Sequence, residues 1–105
     1  MKTIKFAVKE PNKPWKIMEA ENTLETFQDI VGGYIEYFNR DDNGLLYFCN
    51  EEGKIMGLEP NFLFYSDVIV GNVFAVRDDG EGDFASITEA DEQYFHDLGR
   101  AVDME

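Results

Sequence analysis

Side chains able to act as a nucleophile or a base are few in this sequence. Nucleophilic catalysis needs a nucleophile, a base and a group that orients the base. Only Cys49, Ser66 and Ser86 offer Ser or Cys nucleophiles, and His96 is the only imidazole. His96 stands beside Asp97 on the polar side of a predicted helix, where a solvated histidine is the simpler interpretation. Cys49 ends an apolar run and is better explained as a core residue. The sequence therefore predicts no catalytic residues and a protein that is not an enzyme.

Carboxylates could act as an acid and a base in catalysis, but 22 of them in 105 residues make any pair uninformative. Glu36 is the most unusual, because it lies between Tyr34 and Phe38 on one side of an apolar strand. A buried carboxylate would have a raised pKa and could donate a proton. An edge strand, or a face that reaches solvent, explains Glu36 more simply.

A calcium loop is the metal site that the sequence comes nearest to. Asp79, Glu81 and Asp83 recur at every second position, as the first ligands of such a loop do. Phe84 stands where the sharp-turn glycine would be, and Ala90 where the bidentate glutamate would be. There is no Cys/His spacing for zinc. We expect a solvated turn, with no metal and no cofactor.

Gly32 and Gly33, in "DIVGGYIEYF", could belong to a phosphate-binding loop or could end a helix. A phosphate loop places its glycines after a strand and before a helix, so that free N–H groups point at the anion. Here the order is reversed, because the glycines follow a helix and precede a strand. A helix stop is therefore predicted.

The N-terminal part of the chain predicts two strands and a helix. "TIKFAVK" alternates as a half-buried strand does, with its lysines on an edge or a solvent face, and "WKIMEA" after two prolines reads as a short second strand. "ENTLETFQDIV" predicts a helix that Asn22 or Thr23 caps. Its apolar face consists of Leu24, Phe27, Ile30 and Val31.

The middle of the chain is rich in strand signals. "YIEYFNRDDNGLLYFCN" predicts a hairpin that turns near Asn43-Gly44. "EEGKIMGLEPN" predicts a turn and then a brief strand over residues 54–56. In "FLFYSDVIVGNVFAV" we expect "VFAV" to be a strand and "VIV" its irregular approach.

The C-terminal part predicts the polar turn "DDGEGD", a short strand at "FASI" and a last helix. Thr88 and Asp91 form a capping box at its start, and Gly99 weakens or ends it. Its apolar face consists of Tyr94, Phe95, Leu98 and Val102. We expect an α+β fold: a small, mostly antiparallel sheet of about five to six strands with two helices, in a single domain over residues 1–105.

Charge is the most unusual bulk property, because the chain carries a net charge of −13. Residues 78–105 alone hold ten acids and one base, Arg100. Such a field repels nucleic acid and anionic membranes and favours a basic partner, although acidic surfaces also serve plain solubility. The N-terminus does not resemble a signal peptide and the lone Cys49 cannot form an internal disulfide, so we expect a cytoplasmic protein.

Three blocks, "ENTLETFQDIVGGYIE", "NEEGKIMGLEPN" and "DVIVGNVFAV", give a further indication. In order and spacing the chain resembles a family of small bacterial and phage proteins that is defined only as a domain of unknown function. The resemblance implies an accessory protein of a phage or mobile element and brings no catalytic residues. Asn61, in the block "GLEPN", is a candidate for a special role, and closing a turn onto nearby backbone is its simpler explanation.

Two functions of different classes follow. The first is a protein-binding or inhibitory module, an acidic mimic of nucleic acid, that binds a basic host protein. Its binding residues would be Asp78, Asp79, Glu81, Asp83, Glu89 and Glu92. The alternative is a small-ligand-binding domain or minor enzyme with a pocket formed by Glu36, Asn61 and residues 57–67. The oligomeric state is open, although the apolar run "NFLFYSDVIVG" could serve self-association.

Overall fold

The first strand is buried on both of its faces, which places the sheet at the centre of the molecule. The computed structural model describes residues 2–98, and the predictions for Gly99 and Val102 concern residues outside this range. In β1 (Thr3–Lys9), Ile4, Phe6 and Val8 are buried towards one side and Ala7 towards the other. Successive side chains of a strand point to opposite faces, so the sheet must be covered on both.

Residues 2–98 form eight strands and three helices. After β1 come β2 (Lys16–Glu21), α1 (Leu24–Val31), β3 (Ile35–Arg40), β4 (Leu46–Asn50), α2 (Gly53–Met56), β5 (Pro60–Phe64), β6 (Asp67–Val70), β7 (Val73–Asp78), β8 (Phe84–Ala85) and α3 (Glu89–Leu98). Six strands form an antiparallel sheet in the order β2-β1-β7-β4-β3, with β8 paired to β7. β5 and β6 form a separate antiparallel pair. The predicted α+β class and antiparallel sheet are confirmed.

Helix α1 covers one face of the sheet. The ring of Phe27 is stacked on Phe74 with centroids 4.6 Å apart, and it meets Phe6 and Phe84 edge-on at 5.1 Å each. Aromatic rings prefer these offset and edge-on geometries. The helix is thereby fixed against the middle of the sheet.

The other face is covered by α3, by Trp15 and by the β5–β6 hairpin. Trp15 packs on Phe95 of α3 and on Tyr47 of β4, with centroids 4.7 and 6.0 Å apart. Phe62 and Ile69 of the hairpin belong to the same buried cluster. None of the helices within residues 2–98 is long and apolar enough to cross a membrane.

The ends of α1 confirm the helix stop predicted at the glycines. Thr23 caps the N-terminus by accepting the N–H of Thr26 at 3.2 Å. Gly32 has φ 78°, and its N–H donates to the carbonyl of Gln28 at 2.8 Å. The prediction that Leu24 lies on the buried face is wrong, since the Leu24 side chain is 60% exposed. The two residues that this short helix buries fully are Phe27 and Val31.

The strand predicted over residues 54–56 is wrong, since this segment is the helix α2. The N–H of Glu52 donates to Oδ1 of Asn50 at 2.7 Å, which turns the chain as soon as β4 ends. Gly57, with φ 72°, then ends the helix. Local hydrogen bonds of this kind compete directly with strand pairing.

The prediction that "VIV" is an irregular approach is also wrong, because it forms β6. Leu63 lies opposite Val68, and Phe64 opposite Asp67. The turn between the strands contains Tyr65 with φ 56°. Hairpin turns usually take glycine or asparagine in this conformation, so the sequence carried no turn signal here.

The remaining predicted elements are confirmed. β3 and β4 form the predicted hairpin, and Oδ1 of Asp41 accepts the N–H groups of Asn43 and Leu45 in its loop, each at 2.9 Å. The short strand at "FASI" is β8. At the start of α3, the Thr88 N–H donates to Asp91 and the Asp91 N–H donates to the Thr88 hydroxyl, at 2.9 and 3.1 Å, which is the predicted capping box.

Candidate functional site

The acidic turn over residues 78–83 is held by its own carboxylates. Oδ1 of Asp79 accepts the N–H groups of Glu81 and Asp83, at 2.7 and 3.1 Å. These hydrogen bonds keep the pKa of Asp79 below its usual value. Oδ1 of Asp78 accepts the N–H of Gly80 at 2.9 Å in the same way. The turn is thus a solvated loop with a defined backbone.

The six acids predicted to bind a partner differ in how far their charge is compensated. Asp78 lies 3.5 Å from the guanidinium of Arg40, and Glu92 lies 3.2 Å from the ammonium of Lys5. Within residues 2–98, the other four have no Lys, Arg or His nitrogen within 4.0 Å. These four exposed side chains are Asp79, Glu81, Asp83 and Glu89.

Three of the six acids border a depression, and they border two different ones. Asp83 borders a depression of about 210 Å³ at the N-terminal end of α1. Its apolar lining comes from Leu24, Phe27, Ile35 and Phe84. Glu89 and Glu92 instead border an open depression beside Ile17 of β2. Each region therefore combines an exposed carboxylate with an exposed apolar side chain. The turn has more of both, because Asp79, Glu81 and Asp83 lie there and Leu24 is 60% exposed against 36% for Ile17.

Within the described part of the chain, no group of three or more His, Cys, Asp or Glu side chains is placed to hold a metal ion. The first Asp of the candidate calcium loop, Asp79, has one carboxylate oxygen occupied by two backbone amides. Asp83 accepts the N–H of Phe84 at 2.8 Å. Hydrogen bonds that close the turn therefore account for two of the three alternating acids, Asp79 and Asp83.

A second surface feature is a cleft of about 310 Å³ between β3 and β4 on one side and α2 and β6 on the other. Glu36 lines it from β3, which is an edge strand of the sheet. Glu36 is exposed, as the simpler interpretation of the sequence predicted. Across the cleft, the Lys54 ammonium is hydrogen-bonded to the Asp67 carboxylate. The cleft thus combines charged groups with an apolar lining.

Cys49 lies in the wall of this cleft but is 8% exposed and belongs to the core. Burial raises the pKa of its thiol to about 11, and the negative charges of Glu36 and Asp67 act in the same direction. The thiolate is the nucleophilic form of cysteine. At neutral pH the group therefore remains a thiol and a core side chain.

The other candidate nucleophiles and the histidine lie on separate elements. Ser66 lies between β5 and β6. The Ser86 hydroxyl accepts the N–H of Lys5 in β1 at 3.0 Å. His96 is exposed on α3 beside Ile17. The structure does not assemble these groups into one site.

Asn61 has a structural position that the sequence did not predict. Its side-chain amide donates to the carbonyls of Lys9 and Gly71, both at 2.8 Å, and its oxygen accepts from Lys9 Nζ at 2.9 Å. The expected closure onto nearby backbone is therefore wrong, since Lys9 is 52 positions away. Lys9 itself is 3% exposed in an inner strand, and so the expected edge or solvent face is wrong for this lysine.

The predicted ligand pocket is only partly formed. Of the predicted residues, only Glu36 and Asp67 line the cleft, whereas Asn61 is engaged between β1 and the turn after β6. The lining residues Lys54 and Ile55 were not singled out in the sequence, whereas Asp67 is the last residue of the predicted range. Lys54 and Ile55 meet Asp67 only because α2 lies against β6. No local sequence pattern predicts that contact.

Comparison with models of known families finds a match over most of the chain. A family model described as "Domain of unknown function (DUF3846)" matches residues 4–99. We found no match among curated proteins and none among solved structures. The match covers the sheet and the helices described above.

Proposed function

The chain belongs to the family of domains of unknown function DUF3846, and since membership brings no activity, we propose from the surface that it is a protein-binding or inhibitory module for a basic partner. The module acts by binding and not as an enzyme. Its likeness to phage and bacterial accessory proteins supports a role in a phage or mobile element. The partner's basic site is one that otherwise holds nucleic acid.

One observation carries this proposal: the acidic turn presents exposed carboxylates beside an exposed apolar side chain, Leu24. Asp79, Glu81 and Asp83 are exposed, and Asp83 borders the depression that contains Leu24, which is 60% exposed. Protein interfaces commonly combine an apolar centre with a polar rim. A solubilising surface needs the charge but gains nothing from the exposed apolar side chain.

The net charge of the whole molecule extends the attraction of a basic partner beyond the turn itself. A net charge of −13 attracts a basic protein from a distance and accelerates encounter. The turn then defines where the partner binds, because its three aspartates accept hydrogen bonds from backbone amides and are held in place. Salt screens such attraction within about 10 Å at 0.1 M.

The test is affinity capture of basic proteins by the tagged chain at about 50 mM and about 200 mM salt. The variant Glu81→Gln/Asp83→Asn removes two charges from the turn, while the amide oxygen of the new asparagine still accepts the Phe84 N–H. We expect the variant to lose, at low salt, a partner that the parent chain loses only at the higher salt.

The matched control is Asp29→Asn/Glu59→Gln. It removes the same charge from the C-terminal half of α1 and from the segment before β5, and the new glutamine keeps an acceptor for the Asn12 amide. We expect it to capture the partner as the parent does. If both variants lose the partner equally, the net charge and not the turn determines binding. A partner whose capture does not depend on salt would contradict the proposal.

A further inference from the structure

Strand β6 is hydrogen-bonded on one side only. It pairs with β5 in a two-stranded sheet, and within residues 2–98 no other strand pairs with it. All four of its residues, Asp67–Val70, line the cleft although their side chains alternate in direction. The flank of the strand therefore runs along the cleft. An unpaired strand edge presents N–H and C=O groups to any extended chain that reaches it.

The apolar part of the cleft is exposed to an unusual degree. Ile55 of α2 is 87% exposed and Val68 of β6 is 38% exposed, and both line the cleft together with Phe38 and Val70. Leu63, directly opposite Val68 in β5, is 40% exposed. The outer face of the hairpin and the neighbouring helix thus form one apolar surface beside the open strand edge.

The charged groups of the cleft are mostly acidic. Four carboxylates line it against one ammonium group, that of Lys54, which is already bonded to Asp67. The carboxylates belong to Glu36, Glu51, Glu52 and Asp67. Glu36 and Asp67 lie on opposite walls of the cleft, and the negative charge of each raises the pKa of the Cys49 thiol. This charge is complementary to Lys or Arg side chains.

We propose that an extended, basic segment of a partner protein adds to the open edge of β6 as a third strand of the β5–β6 sheet. Main-chain hydrogen bonds to β6 hold the segment, and its side chains alternate between two environments. Residues opposite Val68 and Val70 are apolar. Those opposite Asp67 are Lys or Arg and lie near Glu36. The inference rests on the proposed function for the basic character of the partner.

A peptide fits this site better than a compact small molecule. The cleft has a volume of about 310 Å³. This is at the lower end of the range for small-molecule pockets, which is about 300–1,000 Å³. The open strand edge offers bonds in a row, which only an extended chain can use together.

The test uses the full chain, isotopically labelled for NMR, and the capped peptide Lys-Val-Lys-Leu-Lys-Val-Lys as the probe at about 50 mM salt. We expect shifts at the amides of residues 67–70 and at Glu36 and Cys49, with slower amide exchange at alternate residues of β6. Two N-methylated forms of the peptide separate strand pairing from charge. Methylation of the N–H groups that face β6 should weaken binding about tenfold, and methylation of the outward row should not.

Protein variants distinguish this site from the acidic turn. Glu36→Gln/Asp67→Asn should weaken peptide binding about tenfold, and the new asparagine keeps an acceptor for Lys54. Glu81→Gln/Asp83→Asn should leave it nearly unchanged. Shifts confined to residues 78–83, equal binding of both methylated peptides, or no binding at low salt would each overturn the site. Shifts confined to residues 78–83 would overturn the β6 site but not the proposed function. If no basic partner is captured in a salt-dependent way, the proposed function is wrong, and the peptide result is unaffected.

Discussion

At the scale of single residues, Asp91 shows how one carboxylate can serve two elements. It is 4% exposed, caps α3 through the Thr88 N–H, and accepts two hydrogen bonds from Arg77 of β7, at 2.6 and 2.8 Å. The hydrogen bonds from Arg77 hold the pKa of Asp91 below its usual value of 3.8, against the effect of burial. Helix α3 is therefore tied to the sheet by a charge.

Replacing Asp91 by Asn should lower the free energy of unfolding by about 2 kcal/mol at pH 7, since hydrogen bonds to charged groups contribute about that much. Asparagine keeps one oxygen to accept the Thr88 and Arg77 Nε hydrogen bonds, and it loses the charge and the acceptor for Arg77 Nη2. The folded-state pKa is depressed, so the stabilisation is complete above the unfolded-state pKa and is lost as pH falls through the folded-state value. Urea unfolding from about pH 7 to about pH 3 should show the two proteins converging below about pH 4. A difference that does not change with pH would contradict the assignment.

Asn61 is the second residue on which distant elements depend. Replacing it by Ala removes the donor for the buried carbonyls of Lys9 and Gly71. Each unsatisfied buried group costs about 1–3 kcal/mol, so we expect a loss of about 3 kcal/mol in urea unfolding. The control is Asn43→Ala, at an exposed loop position whose backbone N–H makes the turn bond, with an expected change within about 0.5 kcal/mol. Similar effects in both variants would mean that Asn61 does not join the hairpin to β1.

At the scale of elements, the two glycines after α1 have different reasons to be glycine. Gly32 has φ 78° and open space where a Cβ would be, whereas a Cβ on Gly33 would lie 2.9 Å from Nδ2 of Asn50. That Asn50 amide donates to the carbonyl of Val31 at 3.0 Å. Conformation therefore requires the first glycine, and close packing against β4 requires the second.

Gly32→Ala should cost about 1 kcal/mol, because only the left-handed conformation is penalised, and Gly32→Asn should cost less because asparagine tolerates it. Gly33→Ala should cost more than Gly32→Ala, because it displaces Asn50 from Val31. Thermal or urea unfolding of the three variants checks the order. A larger effect for Gly32→Ala than for Gly33→Ala would contradict these separate roles.

The sequence predicted those elements whose signals are local. The cap at Thr23, the stop at Gly32, the loop at Asn43-Gly44 and the capping box of α3 all use residues within a few positions of one another. The β5–β6 hairpin was missed because Tyr65 adopts a conformation that its side chain disfavours. The position of Asn61 and the α2–β6 cleft depend on contacts across the chain. No periodicity or turn chemistry encodes such contacts.

At the scale of the whole molecule, the net charge acts on folding and on binding in opposite directions. A charge of −13 on 105 residues repels itself in the folded state. The ion pairs of the structure offset this only locally, and exposed pairs such as Arg40–Asp78 contribute about 0–1 kcal/mol. Salt should weaken the general repulsion more than it weakens these pairs.

The free energy of unfolding in urea should therefore rise by about 1 kcal/mol when NaCl is raised from about 20 mM to about 300 mM. Glu81→Gln/Asp83→Asn removes two repelling charges and should show a smaller rise. A stability that falls with salt would mean that local ion pairs outweigh the net charge. The rise also decides how the capture experiment is interpreted: if the chain is more stable at moderate salt, a partner lost there is lost by screening of the interface and not by unfolding of the module.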